Sequence, residues 1–428
     1  MASTNQDAVA RLMTAEGRVL LDQVASQLDG YDEIQALRVS SRLHAVGHSG
    51  ELIAAALTLA RLRHRAAGRL GPASARLWLT VDGLEQASRR EVAAHHAHRF
   101  VRARITRVVD LGAGIGSDTL AFAEAGLHVQ AHERDPVTLA CLRANVAELG
   151  LGNRVTVHPG DVNTLVEQSR LDGTEAAFID PARRDARGRI RDPARWSPPY
   201  RTVVRLAESV PAVGAKLAPG LDHAVIPSEA EAEWVSVGGE LKEVVLWWGR
   251  LTSRAIDGED VRRRATVLRA QGPGEPRETM GPPSLTATGP EETRVAEVEP
   301  VVYEPDPAVM RAGLVTHLAA QLGAHRIDPH LALLSATTVV PTPFAHAYHV
   351  EETLAFSLPR LRAALRARDA RQVVIKTRAF AVEPDQIRRR LRLTGSGPTV
   401  VVILTRLGDR PVALLARPAL SRPPLVAE

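Results

Sequence analysis

One glycine-rich stretch carries residues whose types and spacing could bind a ligand. In VVDLGAGIGSD, residues 108–118, an apolar run reaches Asp110, and Gly112, Gly114 and Gly116 follow at alternate positions. Glycine lets the backbone pass close to a ligand and adopt conformations closed to other residues. A glycine loop alone is weak evidence, because several nucleotide-binding folds contain one. The acid two positions before the first glycine narrows the choice of ligand, since a carboxylate repels a pyrophosphate and attracts a ligand with positive charge.

Two further acids follow later apolar runs. Glu133 ends the second run, about 20 residues beyond the loop, where a carboxylate can accept hydrogen bonds from both hydroxyls of a ribose. Asp161 follows the third run, in HPGDV, and could accept a hydrogen bond from an adenine amino group. Each acid alone is typical of a strand end. In this order with Asp110 and its glycines, they predict a site for S-adenosylmethionine, which carries an ammonium, a sulfonium and an adenosine.

Another acid stands where the chain turns from apolar to basic. In AAFIDPARRDARGR, residues 176–189, four apolar residues lead into Asp180 and Pro181, and Arg183 and Arg184 follow. Proline fixes φ and has no backbone N–H, which makes it a rigid support for a neighbouring acid. Asp180 and Pro181 are therefore candidate site residues, and the arginines could form a basic rim beside them.

The elements that position these residues can be read from hydrophobic periodicity. From residue 101 to 270, short apolar runs such as ITRVVDLG and LHVQAHE alternate with helical stretches, which predicts βαβ units, a mainly parallel sheet and an α/β fold. Residues 1–100 show apolar residues at three- and four-residue spacing and predict a helical domain. Residues 271–294, rich in Gly, Pro, Thr and Glu, predict a linker.

The last segment, residues 295–428, is predicted to be a small α+β domain. It contains a predicted helix over residues 306–322 and two apolar runs joined at Gly408 and Asp409 as a hairpin. Its residues 301–428 hold 17 Lys+Arg against 10 Asp+Glu, so the positive charge of the chain, +5 overall, is concentrated there. Such density can bind RNA phosphates. The candidates are Arg388, Arg389 and Arg390, although a solvated helix face is an equally good interpretation.

Composition excludes several other classes of protein. There is no run of 18 apolar residues and no basic segment followed by an apolar one at the start, so we expect neither a membrane span nor a signal peptide, and a cytoplasmic location. The single cysteine, Cys141, excludes an internal disulfide and a multi-thiolate zinc site, and we predict no metal.

The order of these motifs resembles that of a known family. Asp110 with its glycines, Glu133, Asp161 and Asp180-Pro181 are similar to the motifs of class I S-adenosylmethionine-dependent methyltransferases. The whole chain resembles bacterial members with a C-terminal THUMP-like domain, through DPARR, YEPDPAVMRAGLV and RPVALLAR. The resemblance implies a Rossmann-like sheet, S-adenosylmethionine as cofactor and a structured RNA as partner. LEQASRREVAAHHAHRF is similar to the segment that covers the cofactor in cap-hypermethylating guanosine methyltransferases, which points to Gln86 and Ser88.

The resemblance also suggests a reaction for Asp180. Asp180-Pro181 resembles the Asp-Pro-Pro-aromatic motif of amino-directed nucleic-acid methyltransferases, where the acid orients an exocyclic amino group. Ala182 and Arg183 replace the second proline and the aromatic, so the motif has no ring on which a flipped base could stack. Trp196 or Tyr200 could supply that ring. Cys141 lies on the wrong side of the sheet to be a nucleophile, which disfavours methylation of a pyrimidine carbon.

Three functions fit these observations. The leading one is an S-adenosylmethionine-dependent methyltransferase acting on a nucleobase nitrogen of structured RNA, such as tRNA or rRNA. The alternatives are a methyltransferase of small molecules and an RNA-binding module with a vestigial cofactor site.

Overall fold

The computed structural model describes residues 9–28, 31–168, 171, 173–185, 188–270, 281–287, 292–380 and 382–419. The chain divides into two compact units. The first unit comprises residues 1–233, 243–261 and 268–282, and the second comprises residues 234–242, 262–267 and 283–428.

The first unit begins with helices. They are α1 Ala15–Gln27, α2 Glu33–Ala45, α3 Gly50–Leu70, α4 Val81–Gln86 and α5 Arg90–Arg102. Helix α3 shows why the sequence predicts them. The Ser49 side chain accepts a hydrogen bond from the Leu52 amide at its start, and Gly71, with φ of 75°, ends it. Apolar residues at three- and four-residue spacing, from Leu52 to Ala66, form its buried face.

Strands and helices alternate in the rest of the first unit. The strands along the chain are β1 Arg107–Leu111, β2 His128–Glu133, β3 Val155–Pro159, β4 Ala177–Ile179, β5 Arg184–Asp185, β6 Gly188–Arg189, β7 Ala212–Leu217, β8 Glu231–Val237 and β9 Glu240–Gly249. The helices are α6 Ser117–Glu124, α7 Pro136–Glu148, α8 Val162–Glu167, α9 Tyr200–Ser209 and α10 Ser253–Asp257. In the main sheet the order β3-β2-β1-β4-β7 is parallel throughout, and β9 pairs antiparallel with β7.

A cluster of buried aromatic rings holds helices against this sheet. Phe100 of α5 lies 5.0 Å from Phe122 of α6, measured between ring centroids, and 6.2 Å from Phe178 of β4. Trp247 of β9 lies 6.2 Å from Phe100. All four rings are almost fully buried, and tilted contacts of this kind add to the stabilisation from apolar burial. The cluster fixes α5 and α6 over the strands that carry the candidate site.

The strands from residue 263 onward belong to two sheets. In chain order they are β10 Arg263–Leu268, β11 Ser284–Thr286, β12 Val301–Pro305, β13 His325–Arg326, β14 Leu334–Ala336, β15 Ala345–Ala355, β16 Gln372–Thr377, β17 Thr399–Leu407 and β18 Arg410–Pro418. Strands β10 and β11 continue the main sheet beyond β8, in the order β11-β10-β8-β9-β7. The helices are α11 Pro307–Arg311, α12 Val315–Leu322, α13 Leu358–Ala367 and α14 Pro384–Leu391. Seven strands form the sheet β13-β14-β12-β15-β18-β17-β16, antiparallel except for β16 and β17. Leucines of α13 and α14 pack on it.

The predicted α/β fold class is confirmed, and so is the hairpin at Gly408, where Leu407 pairs with Arg410. The prediction of one helix over residues 306–322 is wrong, because Gly313, with φ of 68°, separates α11 from α12. Of the predicted linker, residues 271–280 and 288–291 lie outside the described residues, whereas Leu285 is buried in the strand β11. The predicted domain bounds at residues 100, 270 and 294 stay predictions.

Candidate cofactor and substrate site

The strand order places a crevice between β1 and β4. The chain runs outward from β1 through β2 to β3, then returns to β4 on the other side of β1. The loops that follow two such strands diverge, and ligands of parallel α/β sheets bind in the crevice between them. Asp110 lies at the end of β1, and Asp180 follows β4 directly. Both acids singled out in the sequence therefore border one crevice.

The glycine loop after β1 already uses its own amides. The amides of Gly112 and Ala113 donate to the carbonyl of His132 at 3.0 Å, and that of Gly116 donates to the Ala113 carbonyl at 3.0 Å. The Gly114 amide donates to Oε2 of Glu133, also at 3.0 Å. A loop that cradles a phosphate presents free N–H groups to it. This loop instead suits a ligand that needs space and negative charge rather than amide donors.

The three glycines have φ of 81°, 59° and 100° at positions 112, 114 and 116, in the region that favours glycine. A Cβ on Gly112 would lie 3.2 Å from the carbonyl oxygen of Asp180, so the loop after β1 closely approaches the end of β4. A Cβ on Gly116 would lie 2.5 Å from Cδ1 of Leu142, which makes that glycine a packing requirement. A Cβ on Gly114 would meet nothing within 4 Å.

Glu133 is the last residue of β2, and Asp161 follows β3. Oε1 of Glu133 accepts from the Asp135 amide at 2.8 Å, and its Oε2 accepts from Gly114, so the carboxylate lies against the glycine loop. Oδ1 of Asp161 caps α8 by accepting from the Asn163 amide at 2.9 Å. Oδ2 of Asp161 lies 3.3 Å from Arg134. Each carboxylate keeps lone pairs for further donors.

Asp110 is a buried acid, with 2% of its surface exposed. Burial raises the pKa of its carboxyl to about 7, and Asp118 and Asp180 add to the rise, while the hydroxyl of Thr119 donates to it and opposes the rise. Asp110 is therefore only partly ionised near neutral pH. A cation in the crevice would favour its charged form.

Asp180 forms an ion pair that the sequence did not predict. Its Oδ2 accepts a hydrogen bond from Nζ of Lys216 on β7, the strand next to β4. Burial raises the pKa of the Asp180 carboxyl, whereas Lys216 and Arg183 oppose that rise. Pro181 is buried beside it. Arg183 is half-buried, and its Nη1 is buried without a hydrogen-bond partner in the described part of the chain. For Arg184 the structure describes the backbone, in strand β5, and not the side chain.

A chain of buried polar groups continues from Lys216. Nζ of Lys216 also donates to Oγ of Ser88 at 3.0 Å, and Oγ of Ser88 donates to Oδ2 of Asp118 at 2.6 Å. Oδ1 of Asp118 lies 2.8 Å from Nδ1 of His96, whose Nε2 lies 2.5 Å from Oε1 of Glu243. Burial of the His96 ring lowers its pKa, but Glu243 and Asp118 raise it to about 10 overall, so the ring is protonated and donates at both nitrogens.

Relatives identify the kind of protein that carries this site. The chain is 34% identical over 360 residues to an uncharacterised S-adenosylmethionine-dependent methyltransferase of Mycobacterium tuberculosis H37Rv, and the match covers 81% of the chain and 91% of that relative. The chain belongs to the S-adenosylmethionine-dependent methyltransferases. The methyltransferase is thus an enzyme whose cofactor is S-adenosylmethionine, as predicted.

Parts of the methyltransferase match other known proteins. Residues 345–418 match the THUMP domain-like family, residues 105–181 the RNA cap guanine-N2 methyltransferase family, and residues 5–66 a domain of unknown function. The ribosomal RNA small subunit methyltransferase J of Halorhodospira halophila is 35% identical over 99 residues, which are 21% of the chain and 37% of that protein. A crystal structure of a candidate methyltransferase from Porphyromonas gingivalis W83 has the same fold, with a TM-score of 0.68 and 24% identity over 91% of the chain and all of that structure.

Several residues of the site escaped the sequence analysis. Lys216, His96, Asp118 and Glu243 lie on different elements, and only their packing brings them together. One signal existed for Lys216. It is one of only three lysines among 54 basic residues, and it interrupts the otherwise apolar run AVGAKL of β7. Ser88, which resemblance suggested near the cofactor, is buried in this chain of polar groups, and Gln86 is exposed at the end of α4.

The remaining candidate residues take other places. The Trp196 ring is buried and its Nε1 donates to the Ile190 carbonyl. The hydroxyl of Tyr200, the first residue of α9, donates to the Val225 carbonyl, so both rings are packed against the protein. Cys141 is fully buried, and burial raises the pKa of its thiol to about 12, which is unsuited to a nucleophile. Arg388, Arg389 and Arg390 are exposed on α14 of the second unit, where Arg388 pairs with Asp385 at 2.6 Å.

Two properties concern the described residues as a whole. None of their helices is both long and apolar enough to cross a lipid bilayer. They also contain no cluster of three or more His, Cys, Asp or Glu side chains arranged to hold a metal ion.

Proposed function

We propose that this methyltransferase transfers a methyl group to a nucleobase nitrogen of structured RNA, such as tRNA or rRNA, in the cytoplasm. Two matches support an RNA substrate: the RNA cap guanine-N2 methyltransferase family over residues 105–181, and the THUMP domain-like family over residues 345–418. The first of these spans the candidate site from Asp110 to Asp180. The ribosomal RNA methyltransferase that resembles part of the chain supports the same class of substrate.

The residues of the crevice fit S-adenosylmethionine. The space beside Gly114 can hold a ligand. The loop amides already donate hydrogen bonds within the protein, so they do not require a phosphate as acceptor. Asp110 supplies negative charge for the methionine end, Glu133 lies at the loop where it can accept ribose hydroxyls, and Oδ2 of Asp161 can accept the adenine amino group. Gly112 and Gly116 let the loop approach β4 and α7. When bound, S-adenosylmethionine supplies an electrophilic methyl group on its sulfonium.

Asp180 acts on the substrate in this proposal. Its free Oδ1 accepts one N–H of the nucleobase amino group, and a following carbonyl accepts the other, which aims the nitrogen lone pair at the methyl carbon. Pro181 keeps this turn rigid. In the reaction the N–C bond forms as the C–S bond breaks, the sulfonium becomes a neutral thioether, and the amino group releases one proton to Asp180 or to solvent. Positioning and electrostatics supply most of the rate in such a displacement.

Arg183 takes the place of the missing aromatic. It occupies the position where related motifs carry a stacking ring, and Trp196 and Tyr200 are engaged elsewhere. A guanidinium plane can stack on a base, as aromatic rings do. Its buried Nη1, which has no hydrogen-bond partner among the described residues, can also donate to an acceptor on the base. Arg184, Arg388, Arg389 and Arg390 would contact phosphates.

The observation that carries the proposal is the position of Asp180 and Pro181 beside the glycine loop at the crevice. We expect Asp180→Ala to lower the rate of methyl transfer about ten- to a hundredfold, because a hydrogen bond to a charged group is lost at the reacting atom. Cofactor affinity should stay near the wild-type value. Asp180→Asn keeps one acceptor oxygen and should retain more activity. Single-turnover assays with labelled cofactor measure the rate.

The substrate for these assays is RNA from cells that lack the gene, and mass spectrometry of its nucleosides identifies the product. An Asp180→Ala variant as fast as wild type would remove Asp180 from the reaction. Turnover of a small molecule but not of RNA would favour the small-molecule alternative. Binding of RNA and cofactor without any turnover would favour the vestigial site.

A further inference from the structure

Lys216 is the one cation of the described residues that reaches the Asp180 carboxylate with a hydrogen bond. Only 6% of its side chain is exposed, against 23% for Asp180. It occupies Oδ2 of Asp180, and no described donor reaches Oδ1. The pair thus leaves Oδ1 of Asp180 available to accept a hydrogen bond from a substrate.

The surroundings of Lys216 fix its ammonium in one place. Ser88 accepts a second hydrogen bond from Nζ, and Ser88 itself donates to Asp118. Asp118 is held by His96, and His96 is held by Glu243. Charged groups joined by a network of buried hydrogen bonds keep a fixed geometry. The arrangement orients Asp180 through residues of α5, α6, β7 and β9 and of the loop before α5.

We propose that Lys216 is a positioning residue for methyl transfer, which keeps Asp180 ionised and turns Oδ1 toward the substrate amino group. This inference rests on the proposed role of Asp180. Both oxygens of an ionised carboxylate accept hydrogen bonds. A protonated carboxyl donates a hydrogen bond from one of its oxygens, and that oxygen would compete with the substrate amino group as a donor. Lys216 therefore acts on the reaction only through Asp180.

The charge of Lys216 should also set the pH dependence of the reaction. The groups that face it are Asp180 after β4, Asp118 of α6, Glu243 of β9 and Asp110 of β1, with His96 and Arg183 one step further. Burial lowers the pKa of the Lys216 ammonium, but Asp180, Asp118 and Glu243 raise it overall, so Lys216 stays charged at neutral pH. Without that ammonium, nothing from Lys216 would oppose the effect of burial, and the pKa of the Asp180 carboxyl would rise further. Asp180 would then become protonated as the pH falls.

The test is Lys216→Met, whose side chain is apolar and of similar length. We expect kcat at pH 7 to fall about tenfold or more, with KM for the cofactor nearly unchanged. The rate of the variant should rise with pH as Asp180 loses its proton. The wild-type rate should be flat over the same range, because Lys216 already keeps Asp180 ionised there. Lys216→Arg keeps the charge and should restore most of the rate and the wild-type pH profile. Lys242→Met is the matched control, because Lys242 pairs with the exposed Glu240 instead.

The double variant Asp180→Ala/Lys216→Met separates this inference from the proposed function. If Lys216 acts through Asp180, the double variant should be no slower than Asp180→Ala alone. If Asp180→Ala is slow but Lys216→Met keeps the wild-type kcat and pH profile, the proposed role of Lys216 is overturned and that of Asp180 stands. A fast Asp180→Ala overturns both. If Lys216→Met does not fold, as thermal unfolding would show, Lys216→Gln replaces it with the same expectations.

Discussion

At the scale of single residues, the three loop glycines differ in what a side chain would meet. A side chain on Gly116 would clash with Leu142, and one on Gly112 would lie tightly against the Asp180 carbonyl, whereas one on Gly114 would enter open space. That space is where we place the cofactor. We expect Gly114→Val to lower the affinity for S-adenosylmethionine at least about tenfold, because the branched side chain fills it. Isothermal titration calorimetry measures the change.

Backbone strain must be separated from this effect, since Gly114 has positive φ. Gly126 provides the control: its φ is 100°, a Cβ there would also meet nothing within 4 Å, and it lies in the turn between α6 and β2. Both valine variants should lose about 1–2 kcal/mol of stability. Only Gly114→Val should lose cofactor affinity. Equal affinities in the two variants would show that the ligand binds away from Gly114.

The candidate site was only half predictable from its residues. Asp110 and Glu133 lie at the ends of apolar strands, Asp180 follows another, and the glycine loop comes after Asp110, so local sequence was enough to single them out. Lys216 and Ser88 are 128 positions apart, and His96 and Glu243 are 147 apart. No local pattern links such residues, because the contact exists only once β7, β9 and α5 have packed together. The sequence did show the departure at Arg183, without showing its buried Nη1.

At the scale of elements, helix α14 carries the proposed contact with RNA phosphates. It buries Ile387 and Leu391 against β16 and β17 and exposes Arg388, Arg389 and Arg390. We expect the change of all three arginines to Ala to weaken RNA binding and to lower the slope of log affinity against log salt by roughly one unit per lost contact. Fluorescence anisotropy at several salt concentrations gives both quantities.

A matched control removes the same charge elsewhere. Arg38, Arg61 and Arg65 are exposed on α2 and α3, and their change to Ala lowers the net charge by the same three units. The control should leave the salt slope near the wild-type value. If both triple variants lose affinity equally, net charge rather than α14 is responsible, and α14 is then a solvated helix face.

Elements with complete local signals were the ones predicted well. Helix α3 has a serine cap, a periodic apolar face and a glycine at its end, all visible in the sequence. The predicted helix over residues 306–322 failed at Gly313, because apolar periodicity continues across a residue whose backbone leaves the helical region. Strand β11 was missed because three residues with one buried leucine are too short to show a period.

At the scale of the whole molecule, the chain passes between its two compact units five times. The second unit contains residues 234–242 and 262–267 besides the long segment from 283. A fragment of residues 1–282 would therefore keep two pieces of the second unit without the rest of it. We expect this fragment to unfold at a lower temperature than the full chain and to self-associate, because apolar residues of those pieces lose their partners. Thermal unfolding and gel filtration measure both properties, and a monomer with full-length stability would contradict the expectation.

The same path has a consequence for synthesis on the ribosome. Translation delivers residues 234–242 and 262–267 before residue 283, so they must wait for the remainder of their unit to emerge. The first unit is complete once residue 282 has left the exit tunnel, which puts the cofactor loop and Asp180 in place while the arginine-rich α14 is still unmade. Nascent chains could thus bind S-adenosylmethionine before they can hold RNA, and the ligand would stabilise the earlier half of the fold during translation.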